Sequence, residues 1–112
     1  MSQYELGLEG ELIAEQYLKD QGYRILEKRM RGRHGEVDLL AEKHRVLYFV
    51  EVKYRPKGRL GTGMASISKR KKDMLQSVIR AYLNGKPRAW RLAYLEITRS
   101  GILFHDDVLH EN

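Results

Sequence analysis

The sequence contains no cysteine, which removes disulfides, thiol nucleophiles and the usual structural zinc sites. No apolar run approaches the about 20 residues that cross a bilayer. The opening MSQYELGLEGE lacks the basic, apolar and small-residue pattern of a signal peptide. Low-complexity stretches, internal repeats and domain-sized linkers are also missing. A cytoplasmic protein with no membrane partner is the expectation. What is present is a chain of 112 residues, 42% of them apolar, which suits one domain over residues 1–112 with a single modest core. Lysine and arginine total 21 against 15 acids, a net charge of +6. That balance favours a polyanionic partner, although many small basic proteins bind nothing acidic.

Periodicity divides the chain into seven elements. SQYELGLEGELIAEQYLKDQGY opens with a capping-box pattern, Ser2 then Glu5, and carries Leu6, Ile13 and Tyr17 with Leu8, Leu12 and Leu18 at helical spacing. YRILEKRMR, EVDLLAEK and VLYFVEVKY read as three strands. RPKGRLGTG is a basic, glycine-rich loop, and a second helix starts near Ser66 with Leu75, Val78, Ile79 and Tyr82 as its stripe, closed by Asn84-Gly85. WRLAYLEIT and GILFHDDVL follow as two final strands around Ser100-Gly101. The order α-β-β-β-α-β-β predicts an α/β fold, a mixed sheet flanked by helices.

Residues 36 to 53, EVDLLAEKHRVLYFVEVK, place acids and a lysine inside segments otherwise suited to a core. Folding them as an antiparallel hairpin about His44-Arg45 makes opposed positions share one face. Val37, Leu39 and Ala41 then meet Val52, Val50 and Tyr48 on an apolar face. The other face pairs Leu40 with Phe49, Asp38 with Glu51 and Glu36 with Lys53. A one-residue slip would bring the acids onto the apolar face, so pattern and register agree.

Asp38 and Glu51 become like charges in contact, an arrangement that needs a proton or a cation. Mg²⁺ or Mn²⁺ matches a hard oxygen donor set and binds through few protein groups plus water and phosphate. Such an ion polarises a phosphate and lowers the pKa of bound water, while Lys53 can orient that water or offset developing charge. The plain alternative is a solvated cross-strand salt bridge, since Glu-x-Lys tripeptides are common.

Cations gather at both entrances to the hairpin: Arg29, Arg31 and Arg33 before it, Arg55, Lys57 and Arg59 after it. This distribution suits contacts to a nucleic-acid backbone. Lys69-Arg70-Lys71-Lys72 sits at a helix N-terminus, where the dipole disfavours cations. The run is a solvated turn or, for Lys71 four residues before Leu75 on the core-side stripe, a phosphate contact aimed at the sheet; Lys69 stands beside it. His105 and His110 in HDDVLH read as surface residues, since no cysteine or helical histidine spacing accompanies them.

The acid followed by Glu-x-Lys on the next strand resembles the PD-(D/E)XK nuclease superfamily, the restriction-endonuclease-like fold. GLEGE, GEVDLLA, FVEVKYR and SISKRKKDML, in that order, are similar to the YraN-like family of small bacterial proteins over roughly Tyr4 to Phe104. Archaeal Holliday-junction resolvases are similar in layout. The resemblance implies Glu11, Asp38, Glu51 and Lys53 as catalytic residues. It also implies Glu11, Asp38, Glu51 and the Val52 carbonyl as metal ligands, and places Lys71 at the family's lysine in the second helix. Two positions depart from it: Ala93 stands where the fourth strand commonly carries an acid, and Tyr54 where a small hydroxyl residue is frequent. Without the resemblance, Glu11 is one of several acids on its helix.

The resulting expectation is a Mg²⁺- or Mn²⁺-dependent endonuclease acting on DNA or structured nucleic acid. A homodimer would supply two sites for two cuts. The rivals are a non-catalytic nucleic-acid-binding module of the same fold and a protein-interaction subunit with an incidental acidic pair.

Overall fold

The structure, a computed structural model, describes residues 2–33, 35–58 and 67–110. The elements are α1 (Gln3–Asp20), β1 (Arg24–Arg31), β2 (Glu36–Lys43), β3 (Val46–Arg55), α2 (Lys69–Leu83), β4 (Trp90–Thr98) and β5 (Gly101–His105). One five-stranded sheet runs in the order β1-β2-β3-β4-β5. Every neighbouring pair is antiparallel except β3 with β4, which are parallel and joined through α2. Parallel neighbours require such a crossover, so α2 has to lie over one face of the sheet. No helix among the described residues is long and apolar enough to cross a membrane.

Two clusters of buried side chains sandwich the sheet. Leu40, Phe49, Leu92 and Tyr94 pack under Leu75, Val78, Ile79 and Leu83 of α2. Leu39, Val50, Ala93 and Leu95 pack under Ala14 and Leu18 of α1. Strand alternation sends successive residues to opposite helices, which explains the near-continuous apolar runs of β2, β3 and β4. Val108, beyond the short β5, returns to the α2 cluster and donates its N–H to the Leu92 carbonyl at 2.8 Å.

The helix ends follow from their caps. The Ser2 hydroxyl accepts from the Glu5 N–H and the Ser68 hydroxyl from the Lys71 N–H, both at 3.1 Å. α2 therefore starts at Lys69, later than the expected start near Ser66, and ends at Asn84 in the left-handed conformation.

Leu12 does not join the inner stripe of α1; it is 64% exposed. The inner face is built from Gly10, Ala14 and Leu18 instead. A Cβ on Gly10 would lie 2.6 Å from the Tyr54 Cβ, so only glycine lets α1 approach β3 this closely. The first helix is thus docked through small residues near its middle, which holds Glu11 over the sheet.

Candidate functional site

The hairpin turn is the origin of the site. His44 and Arg45 have φ of 52° and 65°, the two positive values of a type I′ turn. The turn sets the register Lys43↔Val46, Ala41↔Tyr48, Leu40↔Phe49 and Leu39↔Val50. The expected pairing therefore holds along this part of the hairpin. Beyond Leu39↔Val50 the ladder of β2 with β3 stops, while β2 stays with β1 through Met30↔Val37 and Arg31↔Glu36.

The parting of the strands changes two expected contacts. Val37 joins Leu40 and Phe49 on the α2 side, not Leu39 and Ala41 on the α1 side. Alternation skips a step at Asp38, next to the point where Arg29 of β1 adopts a left-handed φ of 50°. A non-glycine residue there costs about 1–2 kcal/mol. Glu36 does not face Lys53; it pairs with Arg31, Nε to Oε2 3.3 Å.

The split between β2 and β3 is filled by side chains. Asp38 Oδ2 accepts the Val52 N–H at 2.7 Å, replacing the backbone acceptor that β2 no longer supplies. In an extended strand the N–H and C=O of one residue point the same way. The Val52 carbonyl is thus aimed into the same split. Glu11, Asp38, Glu51, Val52, Lys53 and Tyr54 line one open cleft of about 330 Å³, walled on the α1 side by Gln3, Leu6 and Gly7.

Burial pushes the Asp38 carboxyl up to about 7, and the Glu51 charge pushes in the same direction, only partly offset by the Val52 N–H. Glu11 is also raised, first by burial; the Arg29 guanidinium opposes that, and the charges of Asp38 and Glu36 add to it. Glu51 Oε1 stands 3.5 Å from Lys71 Nζ, and its Oε2 is buried with no hydrogen-bond partner. Asp38 can pair with Glu51 only by keeping its proton, so with both groups ionised the site is short of positive charge.

Glu11 enters the cleft with its own counter-ion, since Oε1 accepts from Arg29 Nε at 2.9 Å. Among the described residues no three His, Cys, Asp or Glu side chains come together as a ready-made cation cage. The oxygens that fit a hard divalent ion are those of Asp38 and Glu51 with the Val52 carbonyl. This sparse set suits Mg²⁺, which keeps several waters and completes its shell with substrate phosphate. The Arg29–Glu11 pair had no sequence signal beyond a basic residue in a strand.

The cations divide into engaged and exposed. Arg31 is held by Glu36 and Lys69 by Asp73 at 2.9 Å. Arg33 and Lys57 are exposed, and Arg55 is half-buried with a partner of its own. Lys71 points to the sheet as its position before Leu75 implies, but its contact is Glu51 itself. Arg59 and His34 lie outside the described residues.

Residues 10–102 match the model of the uncharacterised protein family UPF0102. The chain belongs to this family, the YraN-like family its motifs resemble. A UPF0102 protein of Syntrophomonas wolfei is 44% identical over 84 residues, 75% of this chain and 73% of the relative. A UPF0102 protein of Carboxydothermus hydrogenoformans is 37% identical over 84 residues, covering 75% and 71%. One from Alkaliphilus oremlandii is 39% identical over 79 residues, covering 70% and 68%. The family match runs from Gly10 of α1 to Ile102 in β5 and takes in Glu11, Asp38, Glu51, Val52 and Lys53 of the cleft.

Proposed function

We propose that this UPF0102 protein is a divalent-metal-dependent endonuclease that hydrolyses phosphodiester bonds of DNA, with branched or otherwise structured DNA as its substrate class. The observation that carries the reading is the split between β2 and β3, where Asp38, Glu51 and the Val52 carbonyl converge beside Lys53. The mixed sheet and its α-β-β-β-α-β-β order support the restriction-endonuclease-like reading.

Asp38, Glu51 and the Val52 carbonyl hold Mg²⁺ or Mn²⁺, with Glu11 facing the same cleft. When bound, the ion polarises the scissile phosphate and acidifies a water. Asp38 is held in the cleft by its bond from the Val52 N–H, which fixes one carboxyl oxygen and leaves the other to face a cation. Lys53, one face-sharing step along β3 from Glu51, lies in the cleft and offsets charge as it develops on the phosphate. Exposed Arg33 and Lys57, with Arg31, Arg55, Arg59 and Lys69, contact backbone phosphates without reading bases. A homodimer would present two clefts for paired cuts, and the cytoplasm is the proposed compartment.

The test is to incubate pure protein with four-way branched, flapped, linear and supercoiled DNA in Mg²⁺, Mn²⁺ or EDTA. The reading expects cleavage that EDTA abolishes. Binding without cleavage under any metal condition contradicts it and favours a non-catalytic module, a rival supported by the capture of Glu11 by Arg29.

A further inference from the structure

We propose that Lys71 is a built-in counter-ion that occupies Glu51 in the metal-free protein and is displaced by the arriving divalent cation, freeing its ammonium to bind a substrate phosphate. The inference rests on the Asp38–Glu51 pair being the metal site, and it names how that site is coupled to nucleic-acid binding.

Lys71 lies in the first turn of α2, which contains no acid. A cation there opposes the helix dipole, so an inward-facing lysine needs compensation from elsewhere. Lys69 obtains it within the helix from Asp73; Lys71 obtains it across the fold from Glu51. The latter contact is loose. Its 3.5 Å separation exceeds the about 2.7–2.9 Å of a charge-assisted hydrogen bond. It also leaves Glu51 Oε2 buried and unpartnered. A divalent ion binding carboxylate oxygen at about 2.1 Å interacts far more strongly than an ammonium at that separation. The two cations repel, so the weaker one leaves.

Lysine suits this role because its charge sits on a flexible stem with rotatable donors. The Lys71 side chain is already one-third exposed. It also lines a trough along α2 with Ser68, Arg70, Asp73, Met74 and Ser77, giving the ammonium a second position to move into. Metal on Glu51 then adds one mobile cation to the rim where the scissile strand must lie. Linkage makes the effect reciprocal: nucleic acid that holds Lys71 outward should tighten metal binding.

The test uses the full chain with 13C-labelled lysines. Mg²⁺ titration of the wild type should shift and sharpen the Lys71 ε-methylene resonance, assigned by its loss in Lys71→Met. By calorimetry Lys71→Met should bind Mg²⁺ about tenfold more tightly, because the competitor is gone. Saturating Mg²⁺ should raise the affinity of Lys53→Met protein for branched DNA at least about 5-fold, and Lys71→Met should cancel that gain while Lys71→Arg retains most of it. A Lys71 resonance that stays fixed while Mg²⁺ binds overturns the inference, as does a metal-induced gain in DNA affinity that survives Lys71→Met. None of these readouts needs cleavage, so lack of nuclease activity would contradict the proposed function while leaving the coupling to be judged on its own.

Discussion

Asp38 ends the pairing of β2 with β3 by taking the Val52 N–H onto its own carboxylate at 2.7 Å. A side chain thus stands in for a backbone acceptor, and two strands part by enough to open a cleft between them. The bond also holds a carboxyl against Glu51 in a place that favours its protonated form.

That position has a pH consequence. In the metal-free fold the Asp38 pKa is raised to about 7 from 3.8, so the folded state binds the extra proton. Stability should therefore be highest below about pH 4 as far as this group is concerned, and should fall as pH rises through about 7. Asp38→Asn keeps an acceptor for the Val52 N–H but loses the charge. It should flatten the slope and stabilise the metal-free protein at pH 8 by roughly 1–4 kcal/mol. Urea melts at several pH values in EDTA check this, and a variant less stable than wild type at pH 8 contradicts it.

Lys53→Met separates catalysis from binding. Cleavage should fall by about 100-fold or more, while Mg²⁺ affinity and DNA affinity change by less than about 3-fold, because the role proposed for the ammonium lies in the transition state alone. Single-turnover rates beside fluorescence anisotropy decide it, and equal cleavage by the variant removes Lys53 from the chemistry.

The turn offers a stability prediction remote from the cleft. His44 and Arg45 hold positive φ without the glycine or asparagine that such turns prefer. The double change His44→Asn with Arg45→Gly should stabilise the fold by about 1–2 kcal/mol and leave metal affinity unchanged. Denaturant midpoints measure the first and calorimetry the second.

Gly10→Ala has opposite expectations for an isolated helix and for this fold. Helix propensity alone favours alanine by about 1 kcal/mol. The new Cβ would meet the Tyr54 Cβ at 2.6 Å, so a net loss of about 1–3 kcal/mol is expected as α1 is forced off the sheet. Thermal melting gives the sign.

The hairpin was the legible part of this protein. Its two apolar strands and two-residue turn are consequences of local chemistry, and the register from Lys43↔Val46 to Leu39↔Val50 follows from them. The strand split was not legible, because it depends on Arg29 adopting a left-handed conformation in the neighbouring strand and on a side chain replacing a backbone acceptor. The docking of α1 through Gly10 and Ala14 was hidden for a related reason. Apolar periodicity registers large side chains such as Leu12, whereas close approach is made by small ones. Lys71 was oriented correctly by its helical phase, yet its partner Glu51 is set by the crossover from β3 through α2 to β4, a tertiary relation.

The proposed nuclease depends on a divalent-cation site at Asp38 and Glu51. Calorimetric titration of Mg²⁺ or Mn²⁺ into metal-free protein at pH 8, beside Asp38→Asn and Glu51→Gln, tests it most directly. Saturable binding by the wild type is expected, matched by a rise in melting temperature through linkage, with loss of both effects in each variant. Binding that persists unchanged in Glu51→Gln, or wild-type protein that neither binds the ions nor gains stability from them, would contradict it.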